Sequence, residues 1–312
     1  MAEKRNYQVI IIGGGPAGLT AGIYTARAGL DTLLLEREII GGQIANVEHL
    51  ENYPGFPEGI GGFELGQLMQ QQAEKYGVKI IYTEATGLEL SGGNNKVVKT
   101  AEGDFETKAV ILTGAAKRRK LGVPGEAEFS GKGVSYCATC DGPLFSDLAV
   151  AIAGGGNAAM TEALHLARFA SRVTVIHRRD QLRATAILQE RAFAEPKINF
   201  LWDTGIEKVE GEDFVKLLRL KNFKTGAKST LEVAGLFVSI GFEPDTAYLK
   251  GILALDNEGH IITNNEMETA VPGIFVAGDT RSKLARQVVT AAGDGATAAI
   301  SAERFLTEQF GK

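Results

Sequence analysis

Cys137 and Cys140 are the only cysteines in 312 residues, and they stand in the run Cys137-Ala138-Thr139-Cys140-Asp141. A pair at this spacing can close into a disulfide and reopen, or supply half of a metal site. It cannot staple distant parts of a fold, because the loop it closes is too short to constrain much of the unfolded chain. His49, His165 and His260 are scattered, and none stands at ligand spacing to the cysteines. A four-ligand zinc site therefore lacks ligands, and no metal is expected. Glycine-rich nucleotide fingerprints lie on both sides of the pair and decide for redox chemistry.

The first fingerprint begins with the continuous β-branched run Gln8–Ile12, the pattern of a buried parallel strand. Gly13-Gly14-Gly15-Pro16-Ala17-Gly18 follows, then an Ala-rich helical stretch to about Ala28. A second strand, Asp31–Leu35, closes on Glu36. This is strand, Gly-x-Gly-x-x-Gly, helix, strand and acid in register. Gly13 permits the tight turn, Gly15 lets backbone approach a pyrophosphate, and Gly18 lets the helix pack against the strand. The helix N-terminus offers N–H groups to phosphates, and Glu36 is placed for ribose hydroxyls.

The second copy opens after the strand Leu148–Ala153 with Gly154-Gly155-Gly156-Asn157-Ala158-Ala159. A helix to about Ala170 and a strand Arg172–Ile176 follow. Here the acid position holds His177, followed by Arg178, Arg179 and, four further on, Arg183. An acid repels a ribose 2′-phosphate, whereas arginines bind it through charge-assisted contacts. At about 1.5–3 kcal/mol per bond, two such contacts favour the phosphorylated dinucleotide by hundreds-fold. The second site reads as NADPH, the first as a dinucleotide without the 2′-phosphate.

Length bounds the chain at two domains. Apolar residues make up 44 % and charged residues 23 %, enough for substantial cores without a disorder signature. The net charge of −5 argues against a nucleic-acid binder. No apolar run approaches a membrane span, and the charged start leads into a run too short for a signal peptide. A soluble, cytoplasmic protein is expected, in keeping with low cysteine use.

Between the fingerprints, Gly41-Gly42-Gln43 and Glu51-Asn52-Tyr53-Pro54-Gly55-Phe56 suggest a loop lying on a ligand. Residues 62–76 read as a helix, 78–82 as a strand, 88–90 with 96–100 as a hairpin, and 109–112 as a strand. The basic run Lys117-Arg118-Arg119-Lys120 reads first as a solvated loop and second as a docking patch. Strands and turns continue through Phe214–Leu220 and Leu231–Ile240. In the tail, the strand before Gly278-Asp279 resembles the place where flavoproteins hold the ribityl and pyrophosphate part of FAD. That implies a first domain built from both chain ends. Arg286-Gln287-Val288 precede a small-residue helix over 290–305.

Cys-Ala-Thr-Cys-Asp-Gly, with GGGPAGL before it and GGGNAAMTEAL, HRRDQLR and AGDTRSKLARQVVTAAGDGATAA after it, closely resembles the low-molecular-weight thioredoxin reductases of bacteria. The resemblance covers essentially the whole chain. It implies an α/β fold of two Rossmann-like three-layer domains, with an NADPH domain (116–244) inserted into a discontinuous FAD domain (1–115 and 245–312). It implies a homodimer that reduces the disulfide of thioredoxin. FAD contacts are implied at Gly13, Gly15, Pro16, Ala17, Glu36, Gly42, Gln43, Asn52, Gly278, Asp279, Arg286, Gln287 and Val288. NADPH contacts are implied at Gly156, Asn157, Ala158, His177, Arg178, Arg179 and Arg183. Cys137 and Cys140 form the redox pair, and Asp141 is the proton donor, with a helix cap as its plainer reading. Two departures concern the partner. Ala158 stands where a hydroxyl residue is common, and Pro143-Leu144 stand where docking aromatics often occur. Cys-Asp-Gly-Pro-Leu-Phe is similar instead to the flavoprotein subunit of alkyl hydroperoxide reductase.

Electrons would pass from NADPH to FAD, to the Cys137–Cys140 disulfide, and on to a protein disulfide. The same chemistry could serve a peroxiredoxin- or glutaredoxin-like partner. The other rivals are a non-enzymatic redox sensor and a flavin NADPH oxidase. With no third cysteine to relay electrons, the one pair must meet flavin in one state and a bulky protein disulfide in another. The NADPH domain is therefore expected to turn as a body about linkers near Gly114 and Gly241. Crosslinking the two domains should block turnover and leave flavin bound; full activity after crosslinking contradicts the turn.

Overall fold

A computed structural model of the chain describes residues 5–92, 94–114 and 116–311. Contacts divide it into two compact units, Met1–Lys117 with Pro244–Lys312, and Arg118–Glu243. The chain begins the first unit with β1 (Asn6–Ile12), α1 (Pro16–Arg27), β2 (Thr32–Glu36), α2 (Gly62–Lys75) and β3 (Lys79–Tyr82). β4 (Ala85–Ser91), β5 (Asn95–Thr100) and β6 (Phe105–Leu112) follow. A crossing strand β7 (Ala116–Arg118) leads into the second unit.

The second unit runs through β8 (Val134–Ser135), α3 (Ala138–Asp141), β9 (Ala149–Ala153), α4 (Asn157–Ala167) and β10 (Arg172–Ile176). It continues with α5 (Ala186–Ala194), β11 (Ile198–Leu201), β12 (Thr204–Gly211), β13 (Val215–Asn222), β14 (Lys228–Glu232) and β15 (Gly235–Val238). The return crossing β16 (Phe242–Pro244) pairs with β7 as a two-stranded ribbon. The tail restores the first unit with β17 (Ile274–Val276) and α6 (Val288–Phe310).

The first unit is a single sheet in the order β3-β2-β1-β6-β5-β4, with β17 also on β6. The pairs β1–β2, β1–β6, β2–β3 and β6–β17 are parallel. Val9, Ile10 and Ile11 of β1 are fully buried because helices and loops cover both faces. β6 is longer than its continuous apolar run at 109–112 suggests, because its two halves face different neighbours. Phe105–Thr107 pair antiparallel with β5, and Val110–Leu112 pair parallel with β17. The first half alternates buried and exposed positions, and the second is buried throughout.

Helices α1 and α6 lie against each other where both carry small residues, Ala17 on one and Gly295 on the other among them. A Cβ on Gly295 would overlap the Ala17 carbonyl oxygen, and one on Gly18 would overlap that of Gly13. α6 starts two residues before the apparent helical run. Gln287 caps it through a reciprocal bond set with Thr290, and Gly311 (φ 61°) ends it in the left-handed region.

The second unit holds a parallel sheet, β11-β10-β9-β15-β8, and a separate antiparallel sheet, β12-β13-β14. The apolar stretch 231–240 is two strands. Leu231 and Glu232 complete the antiparallel sheet, while Gly235–Val238 lie between β9 and β8. One strand cannot serve two sheets without the break at Val233-Ala234.

Replacing Gly295 by Val should cost about 3 kcal/mol through overpacking against Ala17, and lower the thermal midpoint of the first unit by roughly 6–12 °C. Calorimetry of the variant measures it; an unchanged midpoint would show that the helix crossing yields freely.

Candidate functional site

The cysteine turn is built on the end of β8. Cys137 sits in extended backbone as N-cap of the one-turn helix α3 and is bonded to Cys140 as a disulfide. The Cys140 N–H points at Cys137 Sγ, 3.2 Å away. Cys137 is half-buried and Cys140 is exposed, while Ala138 between them is buried and anchors the turn. Asp141 is the last residue of α3, and its partner is a side chain. Ser135 Oγ donates to Asp141 Oδ2 at 2.7 Å and accepts the Cys137 N–H at 3.1 Å. Asp141 also stands at the N-cap position of the 3-10 turn that follows, as its plainer reading expects, but makes no side-chain cap bond there. Ser135 was invisible in the sequence because an isolated serine carries no spacing signal.

Tyr136 fixes the same turn from behind. Its hydroxyl donates to Glu126 Oε1 at 2.8 Å, and buried Glu126 also accepts the N–H groups of Leu121 and Gly122 at 2.8 and 2.7 Å. Burial, helped by that carboxylate, pushes the Tyr136 phenol well above its ordinary range. Of the residues after the turn, Leu144 is 76 % exposed, whereas Phe145 packs edge-on against Phe237 with ring centroids 5.3 Å apart.

The two glycine loops are built alike. Gly13 (φ 110°) lies so close to Gly114 that a Cβ would stand 2.5 Å from its Cα, and Gly154 (φ 151°) lies similarly against Ser239. These glycines answer to the protein itself. Gly15 and Gly156 do not. Both have ordinary extended backbone (φ −77° and −98°). A Cβ on Gly15 would meet only the Gly41 oxygen at 3.9 Å, and one on Gly156 would meet nothing within 4 Å. Both precede helices with no side-chain cap bond. The space kept clear there, over uncapped N–H groups, fits a phosphate approaching the backbone.

At the first loop, Glu36 ends β2 and accepts the Gly14 N–H at 2.6 Å and the Glu38 N–H at 2.8 Å. Pro16 and Ala17 are buried as the first residues of α1. Gly42 (φ 55°) opens a 3-10 turn that holds Gln43. Asn52 and Gln287, far apart in sequence, meet directly: Asn52 Nδ2 donates to Gln287 Oε1 at 2.9 Å. Gln287 and Val288 begin α6, and the 3-10 turn Gly278–Thr280 follows β17.

Asp294 and His260 hold this tail. Asp294 on α6 accepts the Gly278 N–H at 3.2 Å and pairs with Arg281 and Lys283 at 3.1 and 2.9 Å. Buried His260 accepts from Arg286 at 2.9 Å through Nε2, since a guanidinium can only donate. Burial raises the Asp279 carboxyl above its ordinary range, opposed by the Lys283 ammonium 3.5 Å away.

At the second loop, buried His177 bonds the Gln181 carbonyl at 3.0 Å and lies against Gly155. Burial holds its pKa down, opposed by the bond to the Gln181 carbonyl and reinforced by Arg183, Arg179 and Arg178. The positive charge rests on Arg178, Arg179 and Arg183, all exposed. Arg183 N donates to the Gly155 oxygen at 2.7 Å, and Asn157 Oδ1 accepts the Thr185 N–H at 2.8 Å. The arginine segment is thereby tied to the glycine loop. Asn157 and exposed Ala158 open α4.

Arg118, in the basic run, is no solvated residue. It pairs with Glu162 of α4 at 3.2 Å and lies over the Phe242 ring at 5.2 Å.

Residues 7–295 match the family described as pyridine nucleotide-disulphide oxidoreductase. The chain is 48 % identical to a thioredoxin reductase of Streptomyces coelicolor, over 98 % of this chain and 95 % of the relative. It is similar to the crystal structure of Lactococcus lactis thioredoxin reductase, 46 % identical over 97 % of this chain and 99 % of that one, at a TM-score of 0.94. The thioredoxin reductase structure from Streptococcus pyogenes is 43 % identical over 98 % and 100 %, at 0.64.

Glu162 yields a pH-dependent expectation. Burial raises its carboxyl, and the Arg118 attraction offsets this only in part. The folded state then holds the proton more tightly than the unfolded one, so the stability this group lends is full below the ordinary glutamate range and is lost as pH rises through the raised value. Glu162→Gln should therefore melt higher than the parent at pH 8, with the difference closing as pH falls through the raised value toward the ordinary glutamate range. A lower midpoint at pH 8 would mean that the pairing with Arg118 outweighs the burial.

Proposed function

The chain belongs to the pyridine nucleotide-disulphide oxidoreductase family, and we propose that within it the chain works as a thioredoxin reductase, drawing electrons from NADPH. The observation that carries this reading is the disulfide itself: half-exposed, at a helix N-terminus, with an acid held beside it, in the same unit as an arginine-flanked dinucleotide loop.

FAD fits the first unit: backbone is kept bare at Gly15, Glu36 stands at the ribose position, and Asn52 and Gln287 are joined beside the start of α6. Gly13, Pro16, Ala17, Gly42, Gln43, Gly278, Asp279, Arg286 and Val288 complete the set that would hold it. Bound there, FAD supplies the two-electron link between nicotinamide and disulfide. NADPH fits the second: Gly156, Asn157 and Ala158 at the start of α4 take the pyrophosphate, and Arg178, Arg179 and Arg183 the 2′-phosphate. His177 supports Gly155 rather than contributing charge.

The Cys137–Cys140 bond takes up two electrons and two protons and opens to two thiols, one of which gives up its proton to become the attacking thiolate. The Cys140 N–H aimed at Cys137 Sγ favours the negative charge there. Asp141 holds one proton of this step. The thiolate attacks the disulfide of thioredoxin, and the second cysteine displaces the reduced partner, re-forming the original bond. Exposed Leu144 supplies apolar surface beside Cys140 for that partner. The working unit is a homodimer. A turn of one unit about linkers near Gly114 and Gly241 would let the single cysteine pair serve flavin and protein partner in turn.

Cys140→Ser should abolish NADPH-dependent reduction of thioredoxin while NADPH still bleaches the flavin absorbance. Retained turnover with oxygen as acceptor would favour an oxidase instead. Replacing Arg178 and Arg179 together by Ala should raise the KM for NADPH by roughly a hundredfold and leave that for NADH within a few-fold. An equal rise for both cofactors would refute phosphate recognition at these arginines. Assay against thioredoxin, a peroxiredoxin and a glutaredoxin ranks the partner.

A further inference from the structure

We propose that Ser135 is the residue that positions Asp141 for its proton, through a hydroxyl that satisfies the acid in both of its protonation states. This rests on the reading of Asp141 as the acid of the disulfide step.

Ser135 is buried, and β8 fixes it by parallel pairing with Leu236 and Phe237 of β15. Its Oγ has three polar neighbours: Asp141 Oδ2 at 2.7 Å, the Cys137 N–H at 3.1 Å and the Cys137 carbonyl oxygen at 3.3 Å. A hydroxyl has one hydrogen and two acceptor sites. With Asp141 ionised, the hydrogen goes to the carboxylate, because the charge-assisted bond is the shorter and stronger. With Asp141 protonated, the carboxylic acid becomes the donor. Ser135 Oγ then accepts from it, and its own hydrogen turns to the Cys137 carbonyl. Neither change moves a heavy atom. An alanine here leaves Asp141 without this fixed donor.

The balance is that of the disulfide step. NADPH gives a hydride, which is two electrons and one proton, and solvent gives a second proton. One S–S bond breaks and two S–H bonds form. The solvent proton passes by way of Asp141, and Ser135 sets where that carboxyl points while it waits. A rigid strand end suits the task better than a loop, since a misplaced acid forfeits most of its benefit.

The test uses the full-length, FAD-loaded protein carrying Ser135→Ala, Ser135→Thr, Asp141→Asn, and Ser135→Ala with Asp141→Asn. Alkylation after rapid mixing with one equivalent of NADPH counts the thiols formed at Cys137 and Cys140, beside kcat, the KM for NADPH and the thermal midpoint. Ser135→Ala should slow thiol formation about tenfold with KM unchanged, and Ser135→Thr should stay within about twofold of the parent. In the Asp141→Asn background the same alanine should cost less than about twofold. Should Ser135→Ala not fold, Ser135→Val against Ser135→Thr reads the same difference at constant shape. An equal cost in both backgrounds, or threonine as slow as valine, overturns the role of Ser135 and leaves Asp141 as the acid. Asp141→Asn at parental rate overturns the acid reading itself, and this inference with it.

Discussion

Two uncapped helix ends in this protein open onto space that the glycines before them keep clear. α1 and α4 begin on Gly15 and Gly156 with no side chain capping their first N–H groups. A cap of Ser, Thr, Asp or Asn at such a position is worth about 1 kcal/mol. α2 and α5 also start without a side-chain cap, so the missing cap alone marks nothing; at Gly15 and Gly156 it coincides with space a Cβ would leave almost empty, which fits a group from outside the protein completing those helices. That constraint propagates outward. Each bare end must be held still by groups that do not intrude on it.

The holding is done from the side and from behind. Glu36 ties the first loop through the Gly14 N–H. Arg183 and Asn157 tie the second to the arginine segment. Behind the first loop, α6 lies against α1 where Gly295 meets Ala17, and Asp294 on α6 grips the Gly278 turn. The cysteine turn follows the same logic. The exposed bond is carried by a buried framework of Ser135, Ala138, Tyr136 and Glu126. In each case the reactive or binding group is ordinary backbone or a short side chain, and the precision comes from its neighbours.

Much of this was readable in the residues. The strands beside both fingerprints, the glycine loops and the helix starts follow from local pattern, because fixed spacing and buried β-branched runs are short-range signals. What escaped was set at long range. The antiparallel half of β6 depends on which strand it faces, and the break at Val233-Ala234 depends on two sheets competing for one segment. Ser135, Asp294, His260 and Glu162 are single polar residues without periodicity. Their partners lie 6, 16, 26 and 44 positions away, and only the folded chain brings them together. Arg118 looked like one member of a solvated basic run for the same reason: Glu162 and Phe242 are remote in sequence.

The late arrival of β17 bears on how the chain is made. It pairs with Val110–Leu112, yet about 160 residues separate it from β6. At a ribosomal rate of about 5–20 residues per second, β6 waits on the order of 8–32 s for that neighbour. The inserted unit is complete before then and can fold on the emerging chain while the surrounding one still lacks α6. Newly synthesised chains therefore expose an unfinished sheet and the side of α1 that α6 covers, and it is there that chaperones would find their hold.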